Sequence, residues 1–471
     1  MATENTHFGA VEIGKMLGNC KSIYFIGIGG INMSSLAHLS YIRGYRVGGS
    51  DRTESALTRR LEECGIEINY SHLAENVEGY DAVVYTVAIS PDNPEYLRAR
   101  ERGIPCISRA DYLGYIMTSF GRRIGISGMH GKSTCTSMCA LTFMKAGADP
   151  TVLSGAELSE MDGAYRIGKS ENFIFEACEY MDSFLDFNPN VAVILNIEMD
   201  HVDYFKSIEH IRRSYGRFAD IAGADGTAVI NGDDSDVLLA TENYRGRKIS
   251  FGIDSEGLDF RASNIKESRG KYSFDVMKRG IFLCRVELSV TGYHNIYNAL
   301  ATAAVADLSG LSAEDIKRGL ESFGGAKRRM EYKGRLCGAE VYDDYAHHPT
   351  EVRSTLSGAK KLAEKRLVCV FQSHTYSRTS ALLEEFSEAF KEADRVIVID
   401  IYPARETDTL GMSPAVMAER IGENAIACPK MEDAAELLKS ELREGDLLII
   451  MGAGNINKMF DILKDDIKKD N

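Results

Sequence analysis

The stretch Gly128-Met129-His130-Gly131-Lys132-Ser133-Thr134 decides the fold of this chain. It follows a short apolar run at 123–127 and leads into a helix-forming segment that extends to Lys145. A glycine-rich turn entering a helix presents unpaired backbone N–H groups to phosphate oxygens. Lys132 would place a positive charge on the terminal phosphates, and Ser133 would offer its hydroxyl to a metal ion. Because residue 126 is Ile, the match is to the shorter G-x-x-G-K-S form, and a helix start with an unrelated lysine is the alternative.

Two further apolar runs end in candidate ligands. The run at 172–176 ends in Glu176, and the run at 191–197 leads into Asn196-Ile197-Glu198-Met199-Asp200-His201-Val202-Asp203. Ligands of open α/β sheets bind at the carboxyl ends of the strands, so we expect both ends beside the glycine-rich turn. Glu176 would bind a metal or, alternatively, cap the next helix. A histidine is a less expected ligand for Mg²⁺, which prefers oxygen, so His201 is a candidate only because of its neighbours.

Length, charge and composition limit the class of protein. The chain has 471 residues, a net charge of -14 and 10 cysteines without a CxxC pair. This length exceeds a single hydrophobic core, and we predict three domains at 1–118, 119–326 and 327–471. The acidic charge argues against nucleic-acid binding, and no apolar run approaches the roughly 20 residues that cross a bilayer. Residues 1–10 lack a secretory signal pattern, so we expect a cytoplasmic protein that neither spans nor binds a membrane.

The order of apolar runs and turns predicts an α/β fold with parallel sheets. The first region reads as a strand, a glycine turn, a helix and a second strand, which is typical of a Rossmann-like unit. The central region reads as a P-loop ATPase-type parallel sheet, with an alternating pattern at 248–288 that predicts a small antiparallel subsheet. After the basic cluster at 327–329 the pattern restarts as a third, Rossmann-like unit that includes a helix at 380–393.

The glycine turn of the first region has three interpretations. Gly27-Ile28-Gly29-Gly30 and the later Asp51 are similar to an NAD fingerprint, but Asn32 occupies the position of the third glycine. The turn would still present N–H groups to a diphosphate of any nucleoside. We therefore favour nucleotide diphosphate binding over NAD binding, with a purely structural turn as the third possibility.

Three polar segments in the second half of the chain carry further candidates. His294, Asn295 and Asn298 open an alanine-rich helix and could contact a nucleobase, although a capped packing helix is the alternative. The segment at 343–351 places acids, a phenol and two imidazoles in one strand-to-helix turn. The segment at 371–379 follows another strand end, and its Arg378 could form a fork with a carboxylate.

Taken together, the motifs at 25–30, 130–133, 196–203, 294–295, 343–351 and 372–379 resemble those of the Mur ligase family, in order along nearly the whole chain. The resemblance implies that ATP phosphorylates the carboxylate of UDP-N-acetylmuramate to an acyl phosphate during peptidoglycan precursor synthesis. The amine of L-alanine then attacks to give a tetrahedral intermediate, and ADP and phosphate are released. The region between Lys206 and Lys248 contains no lysine, which fits the alanine-adding branch of the family. We expect a monomer or a weak homodimer.

The resemblance also implies roles for the matched residues. Ser133 and Glu176 would hold one of two magnesium ions and His201 the other, with Glu179 and Asp182 further out. The residues implied in catalysis are Lys132, Glu176, His201, Arg328 and His347. Those implied in ATP binding are Gly128, Met129, His130, Gly131, Lys132, Ser133, Thr134, His294, Asn295, Asn298, Arg328 at the phosphates and Asp344 at the ribose. Those implied in substrate binding are Gly29, Gly30, Asn32, Ser34 and Asp51 for the sugar nucleotide, and Tyr345, His347, His374 and Arg378 near the amino acid.

Three other functions remain open on sequence alone. A recycling ligase would join a tripeptide to the same sugar acid. A nicotinamide oxidoreductase would use the Gly27 turn and Asp51, but it leaves the P-loop unexplained. A catalytically inactive nucleotide-binding protein would keep the P-loop without turnover.

Overall fold

The protein builds three β-sheets, one after another along the chain. The computed structural model describes residues 3–161, 163–201, 204–404, 406–408 and 410–469, so Val202 and Asp203 of the motif at 196–203 lie outside the described residues. The three sheets have five, ten and six strands within these ranges. The predicted domain boundaries fall between one sheet and the next, although the division into domains stays a prediction. Among the described residues, no helix combines the length and apolar character needed to cross a bilayer.

The first sheet is parallel, with strand order β3-β2-β1-β4-β5. All five residues of its central strand are buried, which fits the mainly apolar sequence that follows Ser22. Its strands are β1 Ser22–Ile26, β2 Arg46–Ser50, β3 Glu67–Asn69, β4 Ala82–Tyr85 and β5 Cys106–Ser108. Its helices are α1 Ala10–Met16, α2 Ile31–Ile42, α3 Ala56–Glu63, α4 Pro94–Glu101 and α5 Arg109–Met117.

The second sheet has the order β15-β14-β13-β12-β11-β10-β6-β9-β7-β8. Its strands are β6 Arg122–Ser127, β7 Thr151–Leu158, β8 Gly163–Arg166, β9 Asn172–Glu176, β10 Val191–Ile194, β11 Thr227–Asn231, β12 Arg247–Gly252, β13 Phe260–Ser268, β14 Lys271–Lys278 and β15 Ile281–Thr291. Its helices are α6 Lys132–Lys145, α7 Ile208–Ile221, α8 Ser235–Ala240, α9 His294–Leu308 and α10 Ala313–Glu321. The predicted antiparallel subsheet is β13 to β15, and it begins later than expected because β12 pairs parallel to β11.

The third sheet has the order β16-β17-β21-β18-β19-β20 and is parallel except for the β16–β17 hairpin. Its strands are β16 Glu331–Leu336, β17 Ala339–Asp344, β18 Leu367–Phe371, β19 Arg395–Val398, β20 Ala425–Ala427 and β21 Leu447–Met451. Its helices are α11 Pro349–Lys360, α12 Tyr376–Ala381, α13 Leu383–Ala389, α14 Pro414–Ile421, α15 Met431–Glu441 and α16 Met459–Ile462. The α/β fold with three successive sheets confirms the predicted fold class.

One predicted helix differs from the structure. The helix expected at 380–393 is two short helices, α12 and α13, and it begins earlier in the chain. Thr375 caps α12 by accepting a hydrogen bond from the N–H of Arg378. The chain then turns at Leu382, whose φ of -117° and ψ of 22° are not helical. The early start places residues 376–378 in the first turn of α12, shortly after the end of β18.

Strand register determines which strand ends meet. In the second sheet β6 lies between β9 and β10, with Ile126 opposite Glu176 and Ser127 opposite Ile194. The glycine-rich turn, Glu176 and the segment after Ile194 therefore leave the same edge of the sheet. In the third sheet the ends of β17, β21 and β18 are likewise neighbours. Two adjacent strand edges therefore supply the candidate site.

Candidate active site

The backbone of the glycine-rich turn is fixed by Asn196, which lies two residues after the end of β10. Gly131 is the N-cap of α6 in the left-handed region, with φ of 82°, and no side chain caps this helix. The side chain of Asn196 accepts a hydrogen bond from the N–H of His130 at 2.8 Å and donates one to its carbonyl at 3.0 Å. The uncapped N–H groups at the start of α6 therefore remain available to an anion, which fits a triphosphate.

Lys132 folds back over this turn. Its ammonium donates hydrogen bonds to the carbonyls of Gly128 at 2.6 Å and Met129 at 3.1 Å, and it lies 3.0 Å from Oε2 of Glu179. Burial works against its charged form, but attraction to the Glu179 carboxylate outweighs burial and raises the pKa of Lys132 above its ordinary value. A permanent positive charge is thus held at the turn.

Glu179 joins Lys132 to His201. Its carboxylate is fully buried, and its Oε1 lies 3.1 Å from Nε2 of His201. Attraction to Lys132 and the hydrogen bond from His201 lower the pKa of Glu179 despite its burial, so this group is negative. His201 itself has a φ of 48°, a left-handed conformation that is uncommon outside glycine and found often at functional sites. Glu179 therefore lies at the centre of the site, whereas sequence reasoning placed it further out.

Two of the predicted metal ligands, Ser133 and Glu176, lie at the same edge of the sheet as this ion pair. Ser133 is buried in the first turn of α6, and Glu176 accepts a hydrogen bond from the N–H of Gly155 at 2.9 Å. Glu176 also contributes to the raised pKa of Lys132, after Glu179 and Cys178. A hydroxyl and two carboxylates on one edge suit Mg²⁺, which prefers oxygen ligands. The donor set therefore fits a magnesium-bound triphosphate, with His201 as the nitrogen-bearing member.

A cavity of about 470 Å³ opens beside the turn. Of the residues predicted to bind ATP, those lining it are His130, Gly131, Thr134, His294, Asn295, Asn298 and Asp344. Among the described residues that line it, Arg329 occurs and Arg328 does not. Arg328 instead donates to the carbonyl of Gly452 at 2.6 Å and stacks over the ring of Tyr345 at 4.8 Å. Arg329 was missed because a cluster of three basic residues does not show which one faces a ligand.

Side chains in this cavity are fixed by mutual hydrogen bonds. Asn298 donates to Oδ1 of Asn295 at 2.9 Å, and Asn295 donates to the carbonyl of Thr291 at 2.7 Å. Burial, with help from Arg329, lowers the pKa of His294 to about 4, so this imidazole is neutral. Asp344 accepts hydrogen bonds from the N–H groups of Met330 and Ala346, and its burial raises its pKa. The wall facing the cavity is thus polar and preorganised.

A second polar cluster lies where the third sheet meets the second. Arg378 donates from Nε and Nη2 to Oδ1 of Asp200, at 3.2 and 3.1 Å, and both side chains are nearly buried. Nη1 of Arg378 lies 3.3 Å from the ring of His374, whose centroid is 6.0 Å from that of His347. Burial lowers the pKa of His347 to about 3 and that of His374 to about 4. Tyr345 completes this group, with its ring centroid 5.5 Å from that of His347.

The turn of the first sheet is closed by Asp51. Its Oδ2 accepts a hydrogen bond from the N–H of Gly29 at 2.8 Å, and a Cβ on Gly29 would lie 2.7 Å from that oxygen. Ser34 donates to the carbonyls of Ile28 and Gly30. Gly30 caps α2 without a side-chain hydrogen bond, and Asn32 lies in the first turn of that helix. Asp51 is thus engaged by the turn itself, which does not favour the ribose role that NAD binding requires of it.

Comparisons with known proteins cover the whole chain. The family profiles described as "Mur ligase family, catalytic domain", "Mur ligase middle domain" and "Mur ligase, glutamate ligase domain" match residues 22–121, 126–306 and 328–454. The UDP-N-acetylmuramate–L-alanine ligase of Caldanaerobacter subterraneus subsp. tengcongensis is 45% identical over 453 residues, 95% of this chain and 98% of its own.

Two solved structures share the fold. A UDP-N-acetylmuramate–alanine ligase from Thermotoga maritima has a TM-score of 0.77 and 27% identity over 94% of this chain and 98% of its own. A murein peptide ligase from Psychrobacter arcticus has a TM-score of 0.71 and 23% identity over the same shares. Full-length sequence similarity and three matching profiles agree with the resemblance in the motifs. The chain therefore belongs to the Mur ligase family.

Proposed function

We propose that this protein joins L-alanine to the lactyl carboxylate of UDP-N-acetylmuramate at the expense of ATP, in peptidoglycan precursor synthesis. The observation that carries the proposal is the 45% identity, over 95% of the chain, to a ligase whose name states both substrates. The geometry supports it, because a cavity beside the glycine-rich turn and a neighbouring polar cluster around Arg378 are built from adjacent strand edges.

The reaction consists of two transfers. A carboxylate oxygen of the sugar acid attacks the terminal phosphorus of ATP, the bond to ADP breaks, and an acyl phosphate forms. The alanine nitrogen then attacks the acyl carbon, gives up a proton, and phosphate leaves. Magnesium, held by Ser133, Glu176 and His201, would neutralise charge on the phosphates when bound.

The residues of this chain supply fixed charge and position for the first transfer. Lys132 would exchange the carbonyls of Gly128 and Met129 for phosphate oxygens, while Glu179 keeps the ammonium aimed at the turn. The N–H groups of α6 would bind the same phosphates. Arg329, which lines the cavity, is better placed than Arg328 for the nucleotide. The transfer brings the carboxylate of the sugar acid close to the negatively charged phosphates. Cations that are already in position stabilise this arrangement without having to reorient during the reaction.

The second polar cluster suits a small amino acid. Arg378 would bind the alanine carboxylate through N–H groups that Asp200 leaves free, while Asp200 fixes the guanidinium through Nε and Nη2. His347 and His374 are uncharged at neutral pH and so do not repel the incoming amine. Gly29, Gly30, Asn32 and Ser34, with Asp51 bracing the turn, would hold the uridine diphosphate at the start of α2.

The test is substrate dependence of phosphate release. We expect release only when ATP, Mg²⁺, UDP-N-acetylmuramate and L-alanine are all present, with a product heavier than the sugar nucleotide by one alanyl residue. Replacing alanine by the tripeptide L-alanyl-γ-D-glutamyl-meso-diaminopimelate should give little product. A tripeptide preference would make the protein a recycling ligase, and release without the sugar nucleotide would refute the proposal.

Two further parts of the proposal concern the state of the protein. We place it in the cytoplasm, where the sequence predicts it, as a monomer or a weak homodimer. Fractionation of cells and light scattering of the purified chain measure these two properties.

A further inference from the structure

A cluster of potential metal ligands lies apart from the residues assigned to magnesium. His130, Glu198 and His348 each offer one ligand atom, and these three atoms lie within 4.8 Å of one another. His130 belongs to the glycine-rich turn, Glu198 follows β10, and His348 precedes α11 of the third sheet. The cluster therefore forms only where the third sheet docks against the second.

The cluster is held in place by its surroundings. Nε2 of His130 lies 3.0 Å from Oε2 of Glu198, and the rings of His130 and His348 are 4.9 Å apart. The other oxygen of Glu198 accepts a hydrogen bond from Oγ1 of Thr350 at 2.6 Å. This bond fixes the carboxylate so that its free oxygen faces the two imidazoles, as outer partners do for metal-bound carboxylates.

One buried ring nitrogen of the cluster, Nε2 of His348, has no hydrogen-bond partner among the described residues, and His348 is 3% exposed. Buried polar atoms in proteins are nearly always satisfied, so this imidazole nitrogen indicates a missing partner. Nδ1 of His130 lies 3.4 Å from Oε1 of Glu351, which leaves Nε2 as the nitrogen of His130 that faces Glu198.

The donor chemistry selects the kind of cation. Mg²⁺ prefers an all-oxygen environment, whereas two imidazoles and one carboxylate are typical of zinc and its neighbours. Three protein ligands leave a fourth position open for water or for a phosphate oxygen of the adjacent nucleotide, since His130 and Glu198 both line the nucleotide cavity.

We propose that His130, Glu198 and His348 form a binding site for a divalent transition metal of the zinc class, distinct from the magnesium site. Occupancy would tie the glycine-rich turn to the start of α11. The site goes beyond the proposed ligase activity, and its test is a binding measurement that does not depend on turnover.

The experiment uses the full-length protein in excess Mg²⁺, so that the oxygen-rich site is filled. Co²⁺ is titrated as a coloured probe, followed by its visible absorption, and then displaced by Zn²⁺. We expect saturable binding of one Co²⁺ per chain with an imidazole-ligated spectrum. Glu198→Gln keeps the bond from Thr350, and His348→Asn keeps a helix-capping side chain, yet each should weaken binding at least about tenfold.

Two histidine variants serve as controls. His7→Asn removes an exposed imidazole elsewhere, and His201→Asn removes the imidazole of the proposed magnesium site. Both should bind Co²⁺ like the wild type. Loss of binding in His201→Asn alone, equal binding in all variants, or no saturable binding by the wild type would each overturn the proposal. Melting curves establish that each variant is folded, and either cluster variant on its own suffices for the comparison.

Discussion

At the scale of single residues, the site depends on a buried carboxylate between a lysine and a histidine. Glu179 is fully buried between Lys132 and His201, at 3.0 and 3.1 Å. Desolvation of a carboxylate is costly, and only such close partners keep it ionised. Glu179 therefore does more than balance charge, because it holds the lysine against the turn before any phosphate arrives.

The first prediction separates the two roles of Lys132. Lys132→Met should reduce phosphate release at least about 1,000-fold, because a fixed cation at the transferring phosphoryl is lost. It should also destabilise the fold by about 3 kcal/mol, since Glu179 keeps only His201 as a partner. The double variant Lys132→Met/Glu179→Gln removes the unpaired charge and should recover most of the melting temperature without recovering activity. Turnover within tenfold of wild type in either variant would show that the turn was misassigned.

The second prediction concerns His374, whose pKa is lowered to about 4 by burial and by Arg378. The unfolded chain binds this proton near pH 6.5, whereas the folded chain binds it only near pH 4. Between these values the unfolded state holds more protons, so stability conferred by neutral His374 is present above pH 6.5 and is lost as the pH falls toward 4. In His374→Gln the unfolding free energy should fall less steeply as the pH drops across this window. The slope of the variant should be smaller than that of the wild type by about 1.4 kcal/mol per pH unit. An unchanged slope in chemical unfolding measured from pH 6.5 to 4 would contradict the assignment.

At the scale of elements, the glycine-rich turn and α6 act as one unit. Gly131 has a left-handed φ, and a Cβ at this position would lie too close to the amide of Asn298. Both the backbone conformation and the lack of room for a side chain therefore require glycine there. That contact links the start of α6 to the side chains of α9 that line the nucleotide cavity.

The third prediction uses a matched pair of glycines at the two ends of α6. Gly131→Ala places a Cβ 2.8 Å from Oδ1 of Asn298, whereas Gly147→Ala, with φ of 74°, meets nothing within 4 Å. Both should lose about 1 kcal/mol of stability, because alanine disfavours the left-handed region. Only Gly131→Ala should raise the KM for ATP, by about tenfold or more, because Asn298 must move. Equal KM values for the two variants would show that the contact with Asn298 has no part in nucleotide binding.

The sequence predicted the elements whose signals are local. Apolar runs ending in polar residues gave β6, β9 and β10, and β9 has the predicted bounds of Asn172–Glu176. Parallel pairing of these strands places their carboxyl ends at one edge of the sheet, which is why the sequence predicts Lys132, Glu176 and His201 at one site.

Other features could not be predicted, because they depend on backbone conformation or on distant contacts. Met181 and Asp182 have left-handed conformations, and this kinked segment follows Glu179 directly. The sequence gives no signal for such a kink outside glycine. Thr375 has a φ of 66°, a strained value for a β-branched residue that nothing in the pattern around β18 indicated.

At the scale of the whole molecule, the third sheet docks on the second through polar contacts at the site itself. Two of them are the Arg378 fork onto Asp200 and the bond from Thr350 to Glu198. A third contact, from Lys361 to Glu267, lies farther out with both side chains about 39% exposed. Because the buried contact between Arg378 and Asp200 includes a predicted substrate ligand, we expect docking of the third sheet to assemble the predicted amino-acid site.

The last prediction compares two of these contacts. Arg378→Lys keeps the charge but loses the fork that donates twice to Asp200, so we expect the KM for L-alanine to rise about 10- to 100-fold and the scattering radius to increase. Lys361→Met removes an exposed ion pair, which is worth at most about 1 kcal/mol, and should change neither quantity appreciably. A further variant, Asp200→Asn, should loosen the same interface without removing the cation that is proposed to bind alanine. A KM for alanine that rises as much in Lys361→Met as in Arg378→Lys would mean that docking in general, rather than the buried fork, sets alanine affinity.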